Sequence, residues 1–189
     1  MKAIEQLIER HPELSVCAEQ IRKAFAAIVE TYRNDGRLLC CGNGGSAADS
    51  EHIVGELMKS FKRPRPIPAA VRTALAEQGA EGMALADTLE GSLAAIALVS
   101  HTALMTAYAN DRSWDAAFAQ QVLGLGRAGD ALIAISTSGN AADCVNAARV
   151  AKAKGLKTIA LTGEGGGKLA QVCDVAICVP ARETYLVQE

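Results

Sequence analysis

The stretch Arg37-Leu-Leu-Cys-Cys-Gly-Asn-Gly-Gly-Ser46 decides the fold of this chain, because a short apolar run passes directly into a glycine-rich turn. The run predicts a buried strand over Arg37–Cys41, and the residues after the turn predict a helix over Ala47–Lys59. A second unit repeats the pattern: an apolar strand over Asp130–Ile135 leads into Ser136-Thr-Ser-Gly-Asn140 and a helix over 141–154. In an open parallel sheet both turns lie at the carboxyl ends of strands, where ligands bind.

The rest of the chain continues this alternation of strands and helices. Thr158–Leu161 and Val175–Val179 predict two further buried strands, and Ser92–Ser100 predicts another, although this alanine-rich run also suits a helix. Helices between strands imply right-handed crossovers. The predicted fold class is therefore α/β, a three-layer αβα arrangement with an open parallel sheet flanked by helices.

A length of 189 residues predicts a single domain with three additions. Residues 1–35 are expected to form N-terminal helices with a break at His11-Pro12. Residues from about 62 to 90 are expected to form a loop with one or two helices, which is either a solvated insertion or a lid over the site. The segment Thr184–Glu189 predicts a C-terminal helix that stops without a cap, which suggests truncation.

The composition argues against several classes of function. The formal net charge is −2, and no basic stripe is present, so no nucleic-acid partner is expected. No apolar run approaches the roughly 20 residues that cross a bilayer, and the N-terminus lacks the apolar core of a signal peptide. We therefore expect no membrane association and a cytoplasmic location. The six cysteines form no CxxC pair and are expected to be structural.

The two polar turns together predict a site for an anion. Free N–H groups and the positive end of a helix dipole favour a phosphate at the start of each helix. Ser46 in the first turn, and Ser136, Thr137 and Ser138 in the second, add hydroxyl donors. The alternative is that Ser46 and Asn140 merely cap their helices. Neither turn is a nucleotide-binding fingerprint.

His52 and Glu56 stand four residues apart on the helix after the first turn, so they share one face. An imidazole and a carboxylate at this spacing can ligate one cation or act as an acid–base pair. The alternative is an ordinary surface contact between helical neighbours.

Several motifs resemble those of the bacterial phosphoheptose isomerases, a family with the sugar isomerase (SIS) fold. Cys41–His52 and Ile135–Asn140 resemble the two signature loops of that family, and three further stretches follow in the same order: Asn110-Asp111, Phe118–Val122 and Leu161–Lys168. The resemblance implies isomerisation of sedoheptulose 7-phosphate to D-glycero-D-manno-heptose 7-phosphate through an enediol. It also implies a place in heptose synthesis for lipopolysaccharide or S-layers.

The resemblance further assigns roles to individual residues. It implies that Glu56 is the catalytic base, and that zinc binds to His52, Glu56 and Gln188. It implies a substrate and phosphate site formed by Asn43, Gly44, Gly45, Ser46, Asp111, Ser136, Thr137, Ser138 and Gln188. Proteins similar to this one are commonly tetramers with sites between subunits, and the apolar N-terminal helices exceed what one small sheet can cover. The predicted partners are a sugar phosphate and further copies of the chain in a homotetramer.

The chain departs from the family pattern at two places. Ala141 replaces a serine, and the histidine that completes the family's site falls beyond Glu189. His11 and His101 stand in no matching motif, and His101 is expected to be structural. A second hypothesis is therefore a non-catalytic SIS protein that binds a phosphosugar or another protein, similar to the bacterial initiator-associating protein.

Overall fold

The computed structural model describes residues 2–188. Five parallel strands form one sheet in the order β2-β1-β3-β4-β5. The strands are β1 (Leu38–Gly42), β2 (Ala95–Ala97), β3 (Ala131–Ile135), β4 (Lys157–Thr162) and β5 (Val175–Cys178). The helices are α1 (Lys2–Arg10), α2 (Ala18–Arg33), α3 (Gly45–Met58), α4 (Ala69–Ala76), α5 (Ala80–Thr88), α6 (Thr102–Asp111), α7 (Ala117–Leu125), α8 (Ala142–Ala153), α9 (Gly167–Val172) and α10 (Thr184–Gln188). Three 3₁₀ segments are Pro12–Cys17, Leu98–Ser100 and Trp114–Ala116.

The strand order places a topological switch point between β1 and β3. The chain passes from β1 outward to β2, and then returns to the other side of β1 to form β3. Ligands of doubly wound sheets bind at such a point, outside the carboxyl ends of the strands. The register pairs Cys41 with Ala134 and Gly42 with Ile135. The two polar turns therefore leave the sheet side by side.

Helices cover both faces of the sheet, as the alternation predicts. Leu39 and Leu132 point to one face, where they pack against Phe118 of α7 and Val145 of α8. The neighbouring strand residues point to the other face, because side chains alternate along a strand. There Leu38 and Ile133 pack with helices α2 and α3. The fold class is confirmed.

Two carboxylates form hydrogen bonds that stabilise the amino-terminal ends of the strands. Buried Asp130, just before β3, accepts hydrogen bonds from the backbone N–H groups of Arg37 and Arg127, each at 2.9 Å. Asp174, just before β5, accepts hydrogen bonds from both the N–H and the hydroxyl of Thr158 at 2.9 Å, and its other oxygen lies 3.2 Å from the Nζ of Lys152. Burial alone would raise the pKa of Asp174, but the hydrogen bonds from Thr158 and Lys152 outweigh it and lower the pKa.

Most predicted elements are found within one to three residues of their expected ends. The exception is the run Ser92–Ser100, where only Ala95–Ala97 forms a strand and Leu98–Ser100 turns into a 3₁₀ helix. At the N-terminus, Pro12 begins a 3₁₀ segment between α1 and α2, which explains the predicted break.

The insertion forms two helices, α4 and α5, that pack against each other and are joined by the ion pair Arg72–Asp87. Its two ends meet at the guanidinium of Arg65, which donates hydrogen bonds to the carbonyl oxygens of Leu57, Lys59 and Gly91 at 2.7, 2.7 and 2.9 Å. The segment is thereby closed on itself before the chain enters β2. No helix within residues 2–188 has the length and apolar character needed to cross a membrane.

Candidate active site

The first loop, Asn43–Ser46, is a tight turn at the end of β1. The N–H of Ser46 donates to the carbonyl of Asn43 at 3.0 Å, and Gly44 has φ 57° and ψ −119°. These angles are those of the first central residue of a type II′ turn, which requires glycine. The N–H groups of Ser46 and Ala47 are used within the turn. The N–H groups of Gly44 and Gly45 make no hydrogen bond within the described residues, and the turn leaves both as donors for a ligand.

The second loop, Ser136–Asn140, is braced against the turn that precedes α9. The N–H of Gly139 donates to the carbonyl of Ser136 at 2.9 Å, and the side-chain oxygen of Asn140 accepts from the N–H of Lys168 at 3.2 Å. A Cβ at Gly139, which has φ 66°, would lie only 2.1 Å from the carbonyl oxygen of Gly166. Glycine is therefore needed for this close approach of two backbones.

Helix capping does not account for the polar residues of either loop. The residue that caps α3 is Gly44, and Ser46 lies inside the helix with only 2% of its surface exposed. The residue that caps α8 is Ala141, which makes no side-chain capping bond. Neither Ser46 nor Asn140 therefore caps the helix that its own loop opens, although Asn140 accepts a hydrogen bond from Lys168 in the first turn of α9.

The two loops meet at one cavity of about 580 Å³. Ser46 from the first loop and Thr137 from the second both line it, together with His52 of α3 and Gln188 of α10. A neighbouring cavity of about 400 Å³ on the far side of the second loop shares Thr137 and is also lined by Ser138, Glu164, Gly165, Ala181 and Arg182. The second loop therefore separates two solvent-filled spaces.

Other residues assigned to the substrate lie around this cavity or away from it. Ser136 is buried, and its N–H donates to the carbonyl of Leu161. Gly45 lies directly beneath the Gln188 side chain, since a Cβ there would fall 2.1 Å from its amide nitrogen. Asp111 is exposed at the end of α6, where it accepts a hydrogen bond from Asn110, and it lines neither cavity. Of the assigned residues, the cavity is therefore lined by Ser46, His52, Thr137 and Gln188, and the neighbouring one by Thr137 and Ser138. Neither lining includes the remaining assigned residues, Asn43, Gly44, Gly45, Glu56, Asp111 and Ser136.

His52 and Glu56 lie on one face of α3, as predicted. The Nε2 atom of His52 is 3.7 Å from the Oε1 atom of Glu56. The imidazole lines the cavity, and the carboxylate lies one turn farther along the helix and is one-third exposed. Of the pair, only His52 lines the cavity, and Glu56 is linked to it through the contact with His52.

The ligand set for the predicted zinc is incomplete. Catalytic zinc sites use three protein ligands and keep one open position. In the described part of the chain, no third His, Cys, Asp or Glu joins His52 and Glu56. Gln188 lines the same cavity as His52, but a carboxamide is a weak substitute for a carboxylate or imidazole. The zinc assignment therefore remains a prediction.

The structure adds three residues to which no role in the site was assigned from the sequence. His11 and Glu13 of the N-terminal segment line the cavity, with the Nδ1 atom of His11 3.3 Å from the Oε1 atom of Glu13. Asp143 in the first turn of α8 is buried and binds Asn43. Asp143 could have been noticed in the sequence, because it is a carboxylate next to the apolar residues Cys144 and Val145 on the buried face of the predicted helix. A buried carboxylate needs hydrogen-bond partners.

The cysteines and His101 have structural roles. Burial raises the pKa of Cys40 to about 12, and a hydrogen bond with Cys144, followed by burial, raises the pKa of Cys41 well above its usual value. Thiols in this state are poor nucleophiles. His101 holds the buried carboxamide of Gln121, with 2.6 Å between Nδ1 and Oε1, which fits the structural role expected for it.

These features define a class: three-layer α/β proteins that bind a small anionic ligand at the switch point of a parallel sheet. Models described as SIS domain match residues 75–188 and 1–94 of the chain. The phosphoheptose isomerase of Thiobacillus denitrificans is 39% identical over 175 residues, which cover 91% of this chain and 76% of that protein. The phosphoheptose isomerase of Aliarcobacter butzleri is 40% identical over 171 residues, covering 90% and 77%.

A solved structure leads to the same group. The phosphoheptose isomerase of Neisseria gonorrhoeae superposes with a TM-score of 0.75 at 35% identity, covering 97% of this chain and 85% of that one. The chain belongs to the SIS domain family and, within it, to the phosphoheptose isomerases. The resemblance inferred from the two loops is confirmed.

Proposed function

We propose that this protein is a sugar-phosphate isomerase that converts sedoheptulose 7-phosphate to D-glycero-D-manno-heptose 7-phosphate. One observation carries the proposal: Ser46 and Thr137, from loops on adjacent strands, line a single cavity together with His52. The activity named for the relatives is the one that this arrangement suits.

The phosphate group is best accommodated between the two loops. Each loop opens a helix of at least 12 residues, so that two helix dipoles favour an anion between them. The hydroxyls of Ser46, Thr137 and Ser138 supply neutral donors, and the N–H of Gly45 supplies a further one. The backbone of Ser136 is held by a hydrogen bond to the carbonyl of Leu161, and its side chain supplies a further hydroxyl.

The carboxylate of Glu56 is the proposed base. It removes the proton from C1 of the ketose, the electron pair of that C–H bond forms the C1–C2 double bond, and the C2 carbonyl oxygen takes up a proton to give the enediol. Loss of the proton from the C1 hydroxyl then forms the aldehyde while C2 is protonated. His52, 3.7 Å from Glu56, orients the carboxylate and is a side chain that can hold a proton for the carbonyl oxygen.

Incubation with sedoheptulose 7-phosphate, with and without added zinc, tests the proposal by the appearance of an aldose phosphate. Glu56→Gln should abolish product while retaining sugar binding. Glu51→Gln is the matched control, because Glu51 lies on the same helix but binds Ser100 at 2.8 Å. Wild-type protein that binds the sugar without forming product, and is indistinguishable from Glu56→Gln, would favour the non-catalytic SIS protein instead.

The proposal extends to the assembly and the location. Several large apolar side chains are exposed, with Val16 at 74% and Phe61 at 78%, and Phe25 lines a groove of about 430 Å³ along α2. Surfaces of this kind support a homotetramer with sites between subunits. Light scattering that gave a monomer would contradict it. A cytoplasmic location remains a prediction from the N-terminal sequence.

A further inference from the structure

Asp143 is a buried carboxylate that joins the two halves of the site. It lies in the first turn of α8 with 3% of its surface exposed. Its Oδ1 and Oδ2 atoms accept hydrogen bonds from the Nδ2 atom of Asn43 at 3.0 and 2.9 Å, and Oδ1 also accepts from the N–H of Cys144 at 2.8 Å. The contact spans 100 residues of sequence and links the first loop to the helix that follows the second.

The chemistry of this contact fixes which way Asn43 faces. An ionised carboxylate can only accept hydrogen bonds, so the amide nitrogen of Asn43, and not its carbonyl oxygen, must face Asp143. The carbonyl oxygen then points away from Asp143. Asn43 is an exposed residue at the carboxyl end of β1, where ligands of parallel sheets bind, and its only side-chain hydrogen bonds in residues 2–188 are made by Nδ2, so the carbonyl oxygen is available to a ligand.

The position of Asp143 in α8 offsets the free-energy cost of burying its carboxylate, so no cationic partner is needed. The first turn of a helix carries free N–H groups and the positive end of the dipole. Asp143 receives one of those N–H groups, from Cys144, in addition to the amide of Asn43. The carboxylate of Asp143 therefore accepts hydrogen bonds from Asn43 and Cys144 and needs no ion pair with a basic side chain.

We propose that Asp143 is a positioning residue that locks the Asn43 carboxamide in one orientation, so that the site presents a carbonyl acceptor to a hydroxyl group of the sugar. The inference rests on the proposed function, since it assigns the sugar part of that substrate to Asn43. It makes Asn43 selective for a ligand group that can donate a hydrogen bond. The phosphate is then bound by the hydroxyl groups of the two loops and not by Asn43.

Asp143→Asn tests this, because the change keeps the shape but replaces one of the two acceptor oxygens with an NH2 donor, so that either side of the Asn43 carboxamide can be held. The dissociation constant for sedoheptulose 7-phosphate should rise about tenfold, which corresponds to ~1.4 kcal/mol. The dissociation constant for inorganic phosphate should change by less than about twofold, because Asn43 does not hold the phosphate. Binding is measured by calorimetry with every variant in the Glu56→Gln background, which is expected to bind the sugar without converting it, so the result does not depend on turnover.

Asp130→Asn is the matched control. Asp130 is equally buried and also accepts backbone hydrogen bonds, but it lies at the opposite edge of the sheet. This variant should lower the midpoint of thermal unfolding and leave both dissociation constants unchanged. A merely structural role for Asp143 would make the two variants behave alike.

A double-mutant cycle shows whether Asp143 acts through Asn43. Asn43→Ala should weaken sugar binding by a similar factor, and adding Asp143→Asn to it should cause no further loss. Unchanged sugar binding in Asn43→Ala, or an undiminished effect of Asp143→Asn in that background, would overturn the inference. A wild-type protein that binds the sugar but makes no aldose would instead count against the proposed isomerase and leave this test intact.

Discussion

Gly139→Ala is the sharpest test of how the second loop is held. Gly139 has φ 66°, and an added Cβ would lie 2.1 Å from the carbonyl oxygen and 2.6 Å from the carbonyl carbon of Gly166. Both are backbone atoms that cannot rotate away. The substitution therefore forces the loop away from the turn before α9.

The magnitude has two parts. An alanine at positive φ costs about 1–2 kcal/mol from backbone sterics alone. Overpacking against fixed atoms adds about 1–3 kcal/mol. The free energy of unfolding should therefore fall by about 2–5 kcal/mol. Displacement of Thr137 and Ser138 with the loop should weaken the binding of inorganic phosphate about tenfold, roughly the loss of one hydrogen bond to a charged group.

Gly129→Ala separates the two parts. Gly129 has φ 91°, but a Cβ there would meet no atom within 4 Å, and it lies at the amino edge of the sheet, away from both loops. Urea unfolding of both variants should show Gly139→Ala to be the less stable by about 1–3 kcal/mol. Calorimetry should show weaker phosphate binding for Gly139→Ala only.

Equal stability of the two variants would refute the steric argument. Unchanged phosphate binding in Gly139→Ala would refute the placement of the phosphate at the second loop, even if the loss of stability were as large as expected.

Three further predictions concern other parts of the fold. Asp174→Asn should lower the free energy of unfolding, measured in urea, by about 1 kcal/mol at pH 7, because Thr158 and Lys152 lose a charged acceptor. The pKa of Asp174 is lowered in the folded state, so the difference from wild type should be full above about pH 4. It should shrink as the pH falls through that lowered pKa. Gly44→Ala should destabilise by about 1–3 kcal/mol in thermal unfolding through backbone strain alone, because its Cβ would meet no atom within 4 Å; no loss would contradict the type II′ turn. Arg65→Ala should make residues 60–90 more sensitive to limited proteolysis while the sheet stays folded, and an unchanged digestion pattern would show that the guanidinium does not close the segment.

The sequence predicted the sheet well where strands are buried on both faces. Such strands appear as continuous apolar runs bounded by turns, which is why Leu132 and Ile159 were placed in strands close to the observed ones. The run before His101 was harder to assign, because alanine is a strong helix former and is depleted in strands, and only three residues of the run pair with β1.

The parts of the site that depend on local sequence pattern were predicted, and the parts that depend on long-range contacts were not. Ser46, Thr137 and His52 follow from strand–turn–helix units, and the register of adjacent strands brings them together. The contact between Asn43 and Asp143 joins residues 100 positions apart, so no spacing rule could reveal it. The same holds for His11, which reaches the cavity only through the packing of the N-terminal segment.

The way the two-helix hairpin α4–α5 is joined to the rest of the molecule has a consequence for how this protein can change over evolution. Its entry and exit are tied to each other: the N–H of Leu93 donates to the carbonyl of Leu57 at 2.9 Å, and the N–H of Gly91 donates to the carbonyl of Arg65 at 2.7 Å. A segment closed in this way can be lengthened, shortened or exchanged as a cassette without altering the path of β2, since the entropy of closing a loop grows only slowly with its length. Relatives should therefore tolerate wide variation here, and the same position should accept a grafted reporter peptide.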